Sequence, residues 1–280
     1  MPDPVVSVVV PTRGREEYLD VTLASLRGQD LDEAYELLVV NDSAAEGIAA
    51  VAEGHGVRVL GHGERRGANA ARNTGLRETA SKLVAFVDDD VDAPAGWLRA
   101  LVQGARRHPD AGAFGGPIRA RLEGRSPRAC GREDPPITTL DLGERDRETD
   151  VVWSANMMVR RSAVEQVGEF DETIFDGGEE QEWLERLRAA GGTVMYLAQA
   201  ALDHRRAGDD LRLRSLARAA YVRGRAVRRF DRRRGIAPPL RGELRVLGGC
   251  GWHTVRRGCS LGIVMGAHSL GRTVEAIRGR

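Results

Sequence analysis

Three consecutive carboxylates, Asp88-Asp89-Asp90, follow directly on the apolar run Leu83-Val84-Ala85-Phe86-Val87. Adjacent like charges repel, so the triplet calls for a cation nearby, either a divalent metal or an arginine. A solvated acidic turn is the plainer alternative, because Asp is a common turn former; the position at a strand end favours metal. A second acidic pair, Glu179-Glu180, comes after Gly177-Gly178 and before Trp183, Leu184 and Leu187, which repeat with helical spacing. First-turn acids are ordinary helix-dipole chemistry, and a general base placed there is the sharper alternative. Arg72, inside Gly67-Ala68-Asn69-Ala70-Ala71-Arg72-Asn73-Thr74-Gly75, offers a fixed cation to a phosphate, or else is a surface arginine on a tightly packed helix. Asn156 and His204 are polar side chains near apolar runs; for each, a structural hydrogen bond is the commoner outcome and a ligand contact the alternative.

These residues need elements to hold them. Val5 to Val10 is a β-branched run ended by Pro11-Thr12-Arg13-Gly14-Arg15, a first strand terminating in a loop with two cations. Glu16 to Gln29 has a helical apolar period. Glu36 to Val40 repeats the strand pattern and ends in Asn41-Asp42-Ser43, and Val57 to Leu60 reads as a third strand. The carboxylate-bearing run is then a buried strand, with a helix over Trp97 to Arg107. Strands alternating with helices imply an α/β fold with a parallel, doubly wound sheet, whose ligands bind beyond the carboxyl ends of its strands. Gly112 to Thr149 has little pattern and reads as a long loop, with 120–149 a candidate lid. Val151 to Arg161 reads as a strand, Ser162 to Glu165 as a helix start with a capping box, and Val194 to Leu197 as the last strand.

Composition sets limits. The chain has 280 residues, 41% hydrophobic and 30% charged, with a formal net charge of +1. That charge is divided: residues 205–280 hold 19 Arg against five acids, a net of +14, which leaves −13 for residues 1–204. The acidic part contains the candidate metal site, and the basic part suits an anionic partner. Cys130, Cys250 and Cys259 are few and lack metal-ligand spacing, so reduced thiols in a cytoplasmic protein are expected. The N-terminus has no signal-peptide pattern, and no apolar run reaches the roughly 20 residues that span a bilayer.

Six motifs, taken in order, resemble family 2 glycosyltransferases: V-S-V-V-V-P-T-R-G-R, L-L-V-V-N-D-S, G-A-N-A-A-R-N-T-G-L, F-V-D-D-D-V, S-A-N-M-M-V-R-R-S-A-V-E-Q-V-G-E-F-D-E and G-E-E-Q-E-W-L-E-R-L. The resemblance covers about residues 5–204. It implies a GT-A fold, a Rossmann-like, mostly parallel sheet flanked by helices, with a nucleotide-sugar half over about 1–118 and an acceptor half over about 119–204. It also implies a nucleotide-diphospho-sugar donor, most readily a UDP-sugar, Mg²⁺ or Mn²⁺ as cofactor, and inversion at the anomeric carbon. By this resemblance Pro11, Thr12 and Arg13 line the nucleotide pocket and Asp42 recognises the base. Arg72 approaches the base or diphosphate, Asp88 faces the ribose, Asp90 binds the metal, and Asp89 lies between them. Glu180 is the catalytic base, Trp153 and Asn156 lie near sugar and acceptor, and His204 reaches the metal. Two positions depart from the family pattern: Asn41-Asp42 replaces a pair of aspartates, and Glu179-Glu180 replaces a Glu-Asp pair.

Residues 205–280 read as basic amphipathic helices, with apolar stripes Leu213-Ala217-Ala220-Gly224-Val227 and Ile263-Ala267-Leu270-Val274-Ile277. Two readings stand side by side: contact with the anionic inner face of the plasma membrane, suiting a lipid-linked acceptor, and packing on the rest of the chain or in a homodimer. A glycan or small-molecule acceptor is equally compatible. Nucleic acid is not expected as a partner, since aromatics are only 5% and stacking patterns are absent. A sugar-1-phosphate nucleotidyltransferase would want a Gly-rich N-terminal loop with a lysine, and a non-catalytic sugar-nucleotide binder would not need Asp88, Asp90 and Glu180.

Overall fold

The computed structural model describes residues 3–124, 127–131, 135–174 and 178–279. By internal contacts the chain divides into two compact units: residues 1–119, 139–174 and 179–204 form one, and residues 120–138, 175–178 and 205–280 the other.

The first unit is built on an eight-stranded sheet in the order β3-β2-β1-β4-β9-β6-β10-β8. β1 (Val6–Thr12) pairs in parallel with β2 (Tyr35–Asn41) on one side and β4 (Leu83–Phe86) on the other, and β2 pairs in parallel with β3 (Arg58–Gly61). Valine alternation along β1 shows why the sheet forms: Val6, Val8 and Val10 enter one apolar cluster and Val9 enters another, all at 0% exposure. A strand covered on both faces must be apolar on both. Each such valine contributes about 1.5–3 kcal/mol relative to exposure. Helix α1 (Glu16–Arg27) covers the first face through Leu19, Leu23 and Leu26. α3 (Ala68–Glu78) lies against the other so closely that a Cβ at Gly75 would sit 2.4 Å from Val9 Cγ1. α2 (Gly47–Gly54) and α4 (Trp97–Arg107) complete the crossovers.

Several elements differ from the sequence reading. The strand expected over Val151 to Arg161 is only β9 (Met157–Arg160), preceded by a short 3-10 turn over Ser154–Asn156, and it pairs antiparallel with both β4 and β6 (Ala111–Gly115). The sheet is therefore mixed, though mostly parallel. The expected capping box at Ser162 is absent. α5 (Arg161–Val167) starts at Arg161, whose guanidinium is bound by the carbonyls of Leu76, Thr79 and Ser81, so tertiary anchoring replaces the cap. The patternless stretch from Gly112 holds most of β6, all five of whose residues are buried, together with the mostly unburied β7 (Ile118–Glu123) and the two-residue β8 (Arg147–Glu148), strands too short or too uniform to show an alternating period. β10 (Thr193–Tyr196) is not the last strand: β11 (Leu202–Ala207) follows and forms a second sheet in the order β5-β11-β7, where β5 is Val91–Asp92. The short β8 (Arg147–Glu148) borders β10.

The second unit contains α7 (Leu213–Arg233), α8 (Leu240–Arg257) and α9 (Leu261–Arg278). α7 and α9 meet at glycines: a Cβ at Gly224 would lie 2.0 Å from His268 O, and one at Gly271 2.2 Å from Tyr221 O. The acids of this unit are spent on its own arginines. Glu275 binds Arg225 and Arg229, and Glu243 and Asp231 bind Arg272. The buried residues of α9 are Leu261, Gly262, Val264, Ser269, Gly271, Thr273, Glu275 and Ala276, whereas Ile263, Leu270 and Ile277 of the apolar stripe are 45%, 44% and 56% exposed.

Candidate active site

The strand order 3-2-1-4 reverses between β1 and β4, and crevices open at such reversals beyond the carboxyl ends of parallel strands. β1 ends at Thr12 and β4 runs on into Asp88-Asp89-Asp90, in register at Val9 and Phe86. Thr12 Oγ1 donates to Asp89 Oδ2 at 2.6 Å. Arg15 forks across the triplet, pairing with Asp89 through one nitrogen and with Asp90 Oδ2 at 2.7 Å through the other. Thr22 of α1 ties down the backbone of the turn, accepting from Val91 N and donating to a carbonyl of Asp89 or Val91. The cation that the triplet required is thus partly supplied by Arg15. Both Arg13 and Arg15 follow β1 in sequence, and nothing local tells them apart; Arg13 is exposed and Arg15 makes the bonds.

β5 brings in the histidine. Its residue Val91 lies opposite His204 of β11, and this pairing sets His204 Nε2 3.0 Å from Asp90 Oδ1. Asp88, Asp90 and His204 each offer a ligand atom, all within 4.8 Å of one another. Octahedral coordination at about 2.1 Å puts ligand atoms roughly 3–4.2 Å apart, so three donors gathered this closely could share one divalent cation. The buried Asp90 Oδ1, which has no well-aligned hydrogen-bond partner among the described residues, supports the fit. Carboxylate oxygens with one imidazole suit Mg²⁺ or Mn²⁺. Asp88, expected beside ribose, is therefore also placed to reach the metal.

Electrostatics separate the three acids. Burial, then repulsion from Asp90, pushes the Asp88 carboxyl up. Burial also raises Asp89, and outweighs the Arg15 charge and the Thr12 bond. Burial would raise Asp90 as well, but contact with His204 and the Arg15 charge hold it well below the usual carboxylate range.

Arg72 is buried on α3, where Nη1 donates to Asn69 Oδ1 at 2.9 Å and Nη2 to Ser154 Oγ at 2.7 Å. Its Nε has no hydrogen-bond partner among the described residues. The same charge acts on Asp88 and on Glu180, lowering both. Glu180 opens α6 (Glu179–Ala189), anchored behind by Trp183 Nε1 donating to Gly168 O at 2.8 Å. Burial is the largest influence on Glu180 and pushes its carboxyl up to about 7, with Arg72 opposing and Glu179 and Asp88 adding to the rise. A carboxylate near the working pH is what a general base requires.

Other expected site residues are placed differently. Asp42 accepts from the backbone N–H groups of Arg66 and Gly67 at 2.7 and 2.9 Å and contacts His62 Nδ1 at 2.9 Å, so it shapes the turn before α3. His62, which the sequence reading passed over, continues to Thr74 Oγ1 at 2.9 Å. Asn156, expected near sugar and acceptor, is 0% exposed. Its Oδ1 accepts from Trp97 Nε1 and its Nδ2 donates to Pro117 O and Ala200 O. It is an internal tie. Trp153 precedes it, half-buried, and Pro11 sits half-buried at the end of β1.

Comparison with known proteins bears on the family and the fold. The family described as glycosyl transferase family 2 matches residues 7–168. A pre-mycofactocin glycosyltransferase from Mycobacterium tuberculosis is 35% identical over 211 residues, covering 71% of this chain but 43% of the relative. The chain thus spans less than half of that relative's length. A glucosyl-dolichyl phosphate glucuronosyltransferase from Haloferax volcanii is 27% identical over 216 residues, 71% of this chain and 69% of the relative. Among solved structures, the mannosyltransferase PcManGT from Pyrobaculum calidifontis, in complex with GDP-Man and Mn²⁺, aligns with a TM-score of 0.65 at 15% identity, over all of this chain and 89% of that one. This likeness fixes the fold as GT-A.

Proposed function

The chain belongs to glycosyl transferase family 2, and on that premise we propose that it moves a sugar from a nucleotide-diphospho-sugar to an acceptor hydroxyl, inverting the anomeric carbon. The observation that carries the reading is the pairing of two unlike acidic sites around one cation: the Asp88, Asp90, His204 donor set and the raised carboxyl of Glu180, with Arg72 acting on both. Asp88, Asp90 and His204 would hold Mg²⁺ or Mn²⁺, which when bound supplies Lewis-acid stabilisation of the departing diphosphate. Pro11, Thr12 and Arg13 line the nucleotide pocket, and Asp42 supports it through the turn at Arg66 and Gly67. Arg72 directs its positive charge at the diphosphate. Glu180 takes the proton of the acceptor hydroxyl as that oxygen bonds to the anomeric carbon, while the bond to the diphosphate oxygen breaks on the opposite side.

The second unit supports a lipid-linked acceptor. Every exposed large apolar side chain among the described residues belongs to it, including Trp252 at 69% and Val255 at 82%. Leu244, Trp252 and Val255 fall within about a quarter-turn of α8, beside exposed Arg241, Arg245 and Arg256. Apolar side chains among arginines suit an anionic membrane surface, and no helix among the described residues is long and apolar enough to cross a membrane. We place the enzyme at the cytoplasmic leaflet on this basis, with homodimerisation through the same face as the rival reading.

The test is a panel of UDP-, GDP- and dTDP-sugars with Mn²⁺ and polyprenyl-phosphate or soluble acceptors, read as nucleoside diphosphate release. Metal-dependent release is expected with one donor class. Consumption of a nucleoside triphosphate with a sugar 1-phosphate would point instead to nucleotidyl transfer, and no metal-dependent turnover or nucleotide binding with any donor would remove the assignment.

A further inference from the structure

The three cysteines, which carry no metal spacing in sequence, are not equivalent in the fold. None forms a disulfide, and Cys130 and Cys259 converge with His253 so that two sulfurs and a ring nitrogen all lie within 4.8 Å of one another. We propose that Cys130, His253 and Cys259 bind a zinc ion in the C-terminal unit. The ligand set is two thiols and one imidazole, which zinc takes tetrahedrally with Zn–S near 2.3 Å and Zn–N near 2.0–2.1 Å. Those lengths at a tetrahedral angle put ligand atoms about 3.5–3.8 Å apart. Cys130 Sγ and His253 Nε2 are 3.6 Å apart.

The backbone builds this cluster independently of any metal. His253 lies in the last turns of α8, which closes at Gly258 in the left-handed region, φ +56°. That reversal turns Cys259 back on the helix, with its N–H on Thr254 O at 3.2 Å. The segment that carries Cys130 is seated beside it, because Arg128 O accepts from Leu261 N at 3.3 Å and lies 3.7 Å from Cys259 Sγ. Cys259 is 1% exposed and Cys130 is exposed, so the ligands run from interior to surface. A metal can therefore enter, and the fourth tetrahedral position is left to water. On binding, each thiol gives up its proton to solvent; the two thiolate charges match the 2+ of zinc. The ion would fasten residues 127–131 to the α8 to α9 turn. The site shares no residue with the Asp88, Asp90, His204 set and is independent of the glycosyl-transfer reading.

Cobalt(II) distinguishes the two sites. Thiolate ligands give Co²⁺ an intense near-ultraviolet charge-transfer band, and a carboxylate and imidazole site has no sulfur to produce it. After chelator treatment under reducing conditions, the full chain titrated with Co²⁺ should develop that band at one equivalent, and Zn²⁺ should bleach it. Cys130→Ser and Cys259→Ser should each lose the band, His253→Ala should weaken Co²⁺ binding at least tenfold, and Cys250→Ala should keep it. Cys130→Ser alters an exposed position, so its far-ultraviolet circular dichroism should match the parent and exclude misfolding. The proposal is overturned if the parent shows no band at saturating Co²⁺, if Cys250→Ala removes it equally, or if Cys130 and Cys259 are recovered as a disulfide that takes up no metal once reduced.

Discussion

The first unit buries a cluster of charge at one site and keeps its large apolar side chains inside; the C-terminal unit buries Glu243 and Glu275 against its own arginines and leaves large apolar side chains exposed. In the first, Asp89, Asp90, Arg72, Glu180 and His204 are buried at 9% exposure or less, and no large apolar side chain among the described residues is exposed. In the second, arginines crowd the surface, and Val222, Leu244, Trp252, Val255, Ile263, Leu270 and Ile277 stand among them. Buried charge is costly unless paired, so a fold that keeps a cluster of it is retaining a site. Exposed apolar surface is costly too, so a helical unit that keeps it is reserving a contact. On the proposed function, the first unit would bind something small and charged, and the C-terminal unit something broad and apolar.

The sharpest way to break this comparison is to remove the metal-facing carboxylate. Asp90→Asn should lower transfer by about 10³-fold or more, since several kcal/mol of leaving-group stabilisation depends on the ion it holds. Mn²⁺ dependence should vanish in the same variant, and sedimentation with vesicles should not change. If vesicle binding falls with activity, the two units do not act separately.

Glu180→Gln comes next. It should lower kcat by roughly 10²- to 10⁴-fold, the span a positioned general base supplies, with donor affinity in calorimetry unchanged. The wild-type pH profile should share this origin. Deprotonated Glu180 is the active form and its carboxyl stands at about 7, so the rate should fall about tenfold per pH unit below that point and level above it. Stability runs the other way. The folded state holds this proton up to about 7, whereas the unfolded chain releases it near 4.5, so the contribution is full below 4.5 and is lost as pH rises through 7. Glu180→Gln should accordingly melt a few degrees higher than the parent at pH 8, and a lower melting temperature would show that the charge is not strained.

Much of this candidate site is legible in the sequence. The β1, β2 and β4 runs, the Gly67 to Gly75 helix and Trp97 to Arg107 are strong periodic signals; they place Asp88 to Asp90 just beyond a strand end and Arg72 within a helix, and the spacing of Trp183, Leu184 and Leu187 places Glu180 in a first turn. What failed to show was long-range. Arg15 and Arg13 differ only in which one the turn after β1 directs at the triplet. Asn156 reads as a polar intruder in an apolar run and becomes a tie among Trp97, Pro117 and Ala200, none adjacent in sequence. The cysteines lack spacing because Cys130 and His253 are 123 residues apart. In α9 the apolar stripe chosen from the period misleads about packing: Leu261 and Val264 are buried at its start, and beyond them Gly271, Thr273, Ala276 and a buried Glu275 face inward, since Gly271 allows α7 to approach to backbone contact.

The exposed face of α8 gives the mildest prediction and the one that tests the C-terminal half of the comparison alone. Trp252→Ser combined with Val255→Ser removes two side chains with 69% and 82% exposure, so folding loses almost no burial and the melting temperature should stay within a degree or two. Insertion of such side chains into a membrane interface is worth roughly 1–3 kcal/mol, which makes the expected loss of partitioning onto anionic vesicles about tenfold to a hundredfold. Turnover of a soluble acceptor should be unchanged, while turnover of a vesicle-borne acceptor should fall in proportion to the lost binding. Should the variant instead shift sedimentation from dimer to monomer and bind vesicles as before, the exposed face is a contact between copies of the chain, and the arginines around it serve solubility rather than a lipid surface.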